Sequence, residues 1–141
     1  MRLEPRNPSY PGELGLLLLS SREYGEAVDL LRRTVDSYTF SLYWRTELLQ
    51  ACNAYASTLL VRADTQAEGL RYASEAEGVW DDLLQLEWAL GAPGREASVE
   101  RGKTLVLTGR YSEAIALLSS YPDPDVDTWL EAAEALEGLG R

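Results

Sequence analysis

Two ten-residue stretches of this chain are near copies of each other: Arg22 to Leu31 reads REYGEAVDLL, and Gly109 to Leu118 reads GRYSEAIALL. Each places an aromatic after a short polar turn, then Glu-Ala, a β-branched aliphatic and Leu-Leu. Aligning the Glu-Ala pairs sets Gly15 opposite Gly102 and Leu18 opposite Leu105, so the likeness holds on both sides of the turn. A recurrence that crosses a turn predicts a duplicated helix–turn–helix, because a single helix would repeat on one side only.

Apolar spacing fills in the rest. Pro11 suits a first helical turn, where its missing N–H costs nothing, and the first helix is expected over about 11–20. A second, over about 23–37, carries Tyr24, Ala27, Val28, Leu31 and Val35 at steps of three and four, the spacing of one buried face. Ser20 with Glu23 and Thr65 with Glu68 have the spacing of capping boxes. An apolar and alanine-rich helix follows over about 39–61, with Phe40, Tyr43, Trp44, Leu48, Leu49 and Tyr55. Another over about 65–90 turns Leu70, Ala73, Ala76, Trp80, Leu83 and Leu84 inward. Gly69 and Gly78 weaken that helix by roughly 1 kcal/mol each, which leaves one long helix or two shorter ones open. After the punctuation GAPG at 91–94 come helices over about 95–108, 111–120 and 125–138. Residues 1–10, with Pro5 and Pro8, read as an extended lead-in. About seven helices with short turns and no strand run give an all-α antiparallel stack in a single domain over 1–141.

These residues resemble tetratricopeptide repeats, which pair two antiparallel helices per unit. Leu14-Gly15 with Tyr24, Ala27 and Leu31 make one unit; Gly102 and Leu105 with Gly109, Tyr111, Ala114 and Leu118 make another. A fourth begins with Trp129, Ala132, Ala133 and Leu136. The middle unit matches loosely, through Ala56-Ser57, Leu60, Gly69, Leu70 and Tyr72. The units fall at about 8–38, 39–90, 95–121 and 125–141, and their spacing exceeds the family's period of about 34 residues, so longer helices are expected. The resemblance implies a right-handed superhelical stack, a solenoid whose first helices line a concave groove for a peptide or an amphipathic helix. Carried over position by position, the groove comprises Leu16, Leu19, Ala54, Thr58, Val61, Val99, Lys103 and Val106. It is expected to be apolar. Leu16, Thr58 and Lys103 stand where family members that clamp carboxylates carry polar residues, so that clamp is not expected.

Chemistry is sparse. The chain has no histidine, so the commonest general base and metal ligand are missing, and no serine has one to activate it. Cys52, the single cysteine, falls on an alanine-rich helix and reads as a small core residue. Glu75, Glu77, Asp81 and Asp82 read as a solvated helix face; Asp123, Asp125 and Asp127 lack the glycine and distal glutamate of a calcium loop. Asp125 or Asp127 is expected to cap the last helix. GAPG lacks the Lys-Ser or Lys-Thr of a phosphate loop. Trp44, Trp80 and Trp129 fall on inward stripes, whereas Trp88 lies near a helix end. A net charge of −10 disfavours nucleic acid, and no apolar run is long enough for a bilayer or organised as a targeting segment, which places the chain in the cytoplasm.

The expected function is therefore non-enzymatic and needs no metal or cofactor: an adaptor, scaffold or chaperone-like module that binds another protein, with neither nucleic acid nor membrane as partner. The alternative is self-association, in which an uncovered C-terminal helix presenting Trp129, Ala133, Leu136 and Leu139 pairs with a second copy as a homodimer.

Overall fold

The structure, a computed structural model, describes residues 10–90 and 94–139, and the side chains of all of these but 87–90. The lead-in at 1–9, most of GAPG and the Trp88 side chain lie outside the described residues. Among the described residues are seven α-helices and no strand: α1 (Tyr10–Ser20), α2 (Tyr24–Ser37), α3 (Leu42–Leu60), α4 (Gln66–Leu90), α5 (Arg95–Leu107), α6 (Tyr111–Leu118) and α7 (Pro124–Leu139). A 3₁₀ turn at Ala63–Thr65 leads into α4, which runs unbroken through both Gly69 and Gly78 for 25 residues.

The duplicated sequence is a duplicated structure. After α1 the chain turns through Arg22, at φ 65°, and after α5 through Gly109, at φ 81°. In each turn the following amide reaches back to the last helical turn: Glu23 N to Leu18 O and Arg110 N to Leu105 O, both 2.8 Å. The bonds from Arg22 N to Leu19 O and from Gly109 N to Val106 O complete the same double closure. This satisfies the orphan carbonyls at a helix C-terminus by folding one residue into the left-handed region. The close approach is shared too. A Cβ on Gly15 would meet the Leu31 side chain, and one on Gly102 would meet Leu118, its aligned counterpart.

The sequence's capping boxes are replaced by other bonds. The Ser20 hydroxyl donates to Leu16 O within α1, and Glu23, the N-cap residue of α2, makes no side-chain capping bond. Thr65 donates to Leu59 O at 2.6 Å, tying the 3₁₀ turn to the end of α3. Asp123 caps α7, accepting from Asp125 N at 2.9 Å, which corrects the expectation that Asp125 or Asp127 would do so. Pro124 explains the shift: it takes the first helical position, which leaves the residue before it to cap.

Packing follows chain order. Helices α1 and α2 pack together, α2 meets α3, α3 meets α4, α4 meets α5, and α5, α6 and α7 pack in turn; in addition α1 touches α3, α3 touches α5 and α5 touches α7. Two apolar clusters result. One joins Val28 and Leu31 to Leu48, Leu49, Cys52, Ala76, Val79 and Leu83; the other joins Val99, Leu105 and Val106 to Ala114, Leu118, Val126 and Ala133. Within α4 the buried stripe is Ala73, Ala76, Val79 and Leu83, while Leu70 and Leu84 are exposed, contrary to the sequence expectation. Gly69 fixes that orientation: it sits against Leu59 and Leu60 at the end of α3, which turns Leu70 outward.

Between the clusters runs a polar seam. Asn53 on α3 donates to the Glu100 backbone oxygen (2.8 Å) and carboxylate (3.2 Å), and accepts from the Thr104 hydroxyl (2.8 Å). Asn53, Glu100 and Thr104 are all buried, so α3 and α5 meet through satisfied hydrogen bonds in a dry setting. On the α4 side, Arg101 pairs with Glu77 at 2.5 Å while stacking over Trp80.

Candidate functional site

The same α3–α5 contact opens on its other side into a trough. Three adjoining cavities follow one face of α3. The first is bounded by Leu42, Tyr43 and Thr46 against Gly94 to Ala97. The second, about 370 Å³, lies between Glu47 and Gln50 of α3, Glu96 to Lys103 of α5, and Asp123 to Val126 at the start of α7. The third, about 220 Å³, is bounded by Asn53, Ala54, Ser57 and Thr58 with Tyr24, Lys103 and Trp129. Thr46, Arg95 and Glu96 are shared by the first two; Gln50, Glu100 and Lys103 are shared by the last two. Side chains at steps of three and four along α3 thus wall a single groove.

Charge in this groove is uneven. Lys103 Nζ donates to Glu100 Oε2 at 3.0 Å and to Asp125 Oδ2 at 3.4 Å, and stands 5.7 Å from the centre of the Trp129 ring. Burial opposes the charge of Lys103, but Glu100 and Asp125 outweigh it and hold the ammonium above the ordinary lysine range. Arg95 lies 3.7 Å from Asp123. These pairs account for Glu100, Asp123 and Asp125. Glu47 and Glu96 have no ion-pair partner among the described residues. Glu96 lies in the first turn of α5, where a helix N-terminus favours an acid. Glu47 lies inside α3 with no such compensation; burial, followed by the charges of Glu96 and Glu100, pushes its carboxyl above the ordinary range.

The residues expected from the resemblance divide. Ala54, Thr58 and Lys103 line the third cavity together, and Val99 joins Lys103 in the second. Leu16 and Leu19 pack instead against the first apolar cluster, and Val106 is buried in the second. Val61, at the C-cap of α3, is exposed and lines none of the three cavities. The expectation of an apolar groove is corrected for the second and third cavities, whose walls are mainly polar, because the helix faces that carry leucine and valine are used up in packing α1 on α2 and α5 on α6; the first cavity keeps Leu42, Tyr43 and Ala97 on its wall. Sequence reasoning passed over Glu47, Gln50, Asn53, Glu96 and Glu100. The signal was present as a polar stripe, Thr46, Glu47, Gln50, Asn53, Ser57 and Thr58, recurring at helical steps through an otherwise apolar helix.

The C-terminal patch is smaller than expected. Ala133 is fully buried against α5 and α6, and Trp129 is half-buried on the groove wall. Of the four residues proposed for self-association, Leu136 at 39% and Leu139 at 83% are exposed. Among the described residues no group of three or more Cys, Asp or Glu side chains is arranged to hold a metal ion, and no helix is long and apolar enough to cross a membrane. Cys52 is buried, and burial with the nearby Glu75 charge pushes its thiol well above the ordinary range, which keeps it protonated. Comparison with known proteins returned no matching family model, no matching curated protein and no matching solved structure.

Proposed function

We propose that this chain is a non-enzymatic interaction module, a short solenoid of tetratricopeptide-like helix pairs that holds a segment of another protein in the α3–α5–α7 groove. The observation that carries the reading is the continuity of that groove. Three cavities share walls along the length of α3, a shape that suits an extended segment better than a compact metabolite. The duplicated turn, with its matched backbone bonds, supports the repeat assignment, as does packing that, among the described residues, runs between neighbouring units. The right-handed superhelix and a cytoplasmic location belong to the same reading.

Selection of a displayed random-peptide library on the immobilised protein tests it. Gln50 is exposed and stands on the wall of two cavities, so Gln50→Trp fills the groove without touching either core. Peptides should be enriched on the parent protein and lost on the variant. Enrichment that Gln50→Trp leaves intact would place binding elsewhere and sink the reading.

Self-association stays as a second reading on one observation, the exposure of Leu136 and Leu139 at the end of α7. Leu139→Ser should then convert a dimer into a monomer by light scattering; a parent protein that is monomeric at high concentration removes this alternative.

A further inference from the structure

Of the five carboxylates lining the central cavity, three have a partner cation and two do not, and of those two only Glu96 has a helix N-terminus to compensate it. Lys103 pairs with Glu100 and Asp125, and Arg95 with Asp123, so the two resident cations are already engaged. Glu47 and Glu96 line the same cavity from α3 and α5 without a partner cation among the described residues. The unpaired charge does not come from solvation alone, because Glu47 is half-buried and lies beside a second acid and the buried Glu100. A carboxylate held away from water next to like charges costs stability unless a cation joins it. One helical turn before Glu47, Tyr43 is exposed and lines the adjoining first cavity, with exposed Phe40 just before the helix.

We infer that the groove takes an extended lysine- or arginine-bearing segment of a partner protein, with one basic side chain seated between Glu47 and Glu96 and packed against Tyr43. This rests on the groove being the binding site, as proposed above. The charge arrangement selects the occupant: an acidic segment would add like charge to a cavity already in excess of acid, and an apolar one would bury Glu47 unpaired. Arginine fits with particular economy, since its planar fork can bond two carboxylates while its face lies on the tyrosine ring.

The peptides enriched by library selection supply the probes. Each is resynthesised with its basic residues changed one at a time to glutamine, and affinity is measured by fluorescence anisotropy against three proteins: the parent, Glu47→Gln/Glu96→Gln, and Asp81→Asn/Glu131→Gln. The last removes two exposed acids outside the groove, so both variants carry the same net charge. The expected result is that one basic peptide residue dominates and that replacing it weakens binding at least about tenfold. The Glu47/Glu96 variant should lose as much, with no further loss when both changes are combined. The control pair should change affinity less than about twofold. Equal losses in the two protein variants would reduce the effect to general charge attraction and overturn the inference. Enriched peptides that lack basic residues, yet are still displaced by Gln50→Trp, would overturn it while leaving the groove reading intact. Binding indifferent to Gln50→Trp would remove both. Glutamine is nearly isosteric with glutamate and relieves repulsion at position 47, and thermal unfolding of the variant checks that it folds.

Discussion

At the scale of single residues, the twin turns put different residue types to the same task. Position 109 is glycine and position 22 is arginine, yet both adopt positive φ. A side chain there brings Cβ against the following carbonyl, a cost of about 1–2 kcal/mol that glycine avoids. Arg22→Gly should therefore raise unfolding free energy by about 1 kcal/mol, and Gly109→Arg should lower it by at least about as much, both read from urea midpoints. Glu47 gives a second prediction, with a definite sign. Burial and the neighbouring Glu96 and Glu100 make the folded protein hold the Glu47 proton more tightly than the unfolded chain does. The contribution of Glu47 to stability is thus greatest below the ordinary glutamate range and is lost as pH rises through the raised folded value. Glu47→Gln should unfold at higher urea than the parent at pH 7, with the gap closing near pH 4. A gap that widens on acidification would refute the assigned environment.

At the scale of helices, small residues set how closely pairs cross, and the duplicated unit shows it twice. Gly102 lies so close under Leu118 that any Cβ would displace a buried side chain, and the contact is the counterpart of Gly15 against Leu31. Gly78 lies in the exposed middle of α4 with open space around it. The same substitution should therefore act in opposite directions: Gly78→Ala should stabilise by about 1 kcal/mol through helix propensity, while Gly102→Ala should destabilise by about 1–3 kcal/mol through overpacking. Thermal unfolding of the two variants checks this. Were both to stabilise, the close crossing of α5 and α6 would not hold in solution.

At the scale of the whole molecule, two apolar clusters are joined by Ala97 of α5, which is buried in the first of them, and by a set of polar contacts. Asn53, Glu100 and Thr104 bridge α3 to α5, and Lys103 extends the bridge to Asp125 on α7. A seam of this kind fixes relative placement strictly, since each group must find its partner or remain buried and unsatisfied. Lys103→Met should cost about 3 kcal/mol, because Glu100 would be left nearly buried and unpaired, and adding Glu100→Gln should recover part of that loss. Additive losses in the double variant, measured by denaturant unfolding, would mean that the pair is not coupled. The seam also explains why the groove is polar: the residues that join the two halves on one side form its floor on the other.

The sequence by itself determined the helices, within a few residues at each end, and the duplication, because helical periodicity, glycine and proline act through contacts no more than about four residues apart. Of the residues grouped by repeat position, Ala54, Thr58 and Lys103 line one cavity together. Only the tertiary structure decided the rest. Whether Leu16 lines a groove or a core, whether Trp129 is bare or covered, and whether Glu47 has a cation beside it all depend on which helix faces meet. That choice is made by residues far apart in the chain: Asn53 bonds Glu100 across the α3–α5 crossing, and Glu47 lines one cavity with Glu96. Spacing along one helix carries no information about charge on the next, so the groove's acidity appears only when α3 and α5 are packed together.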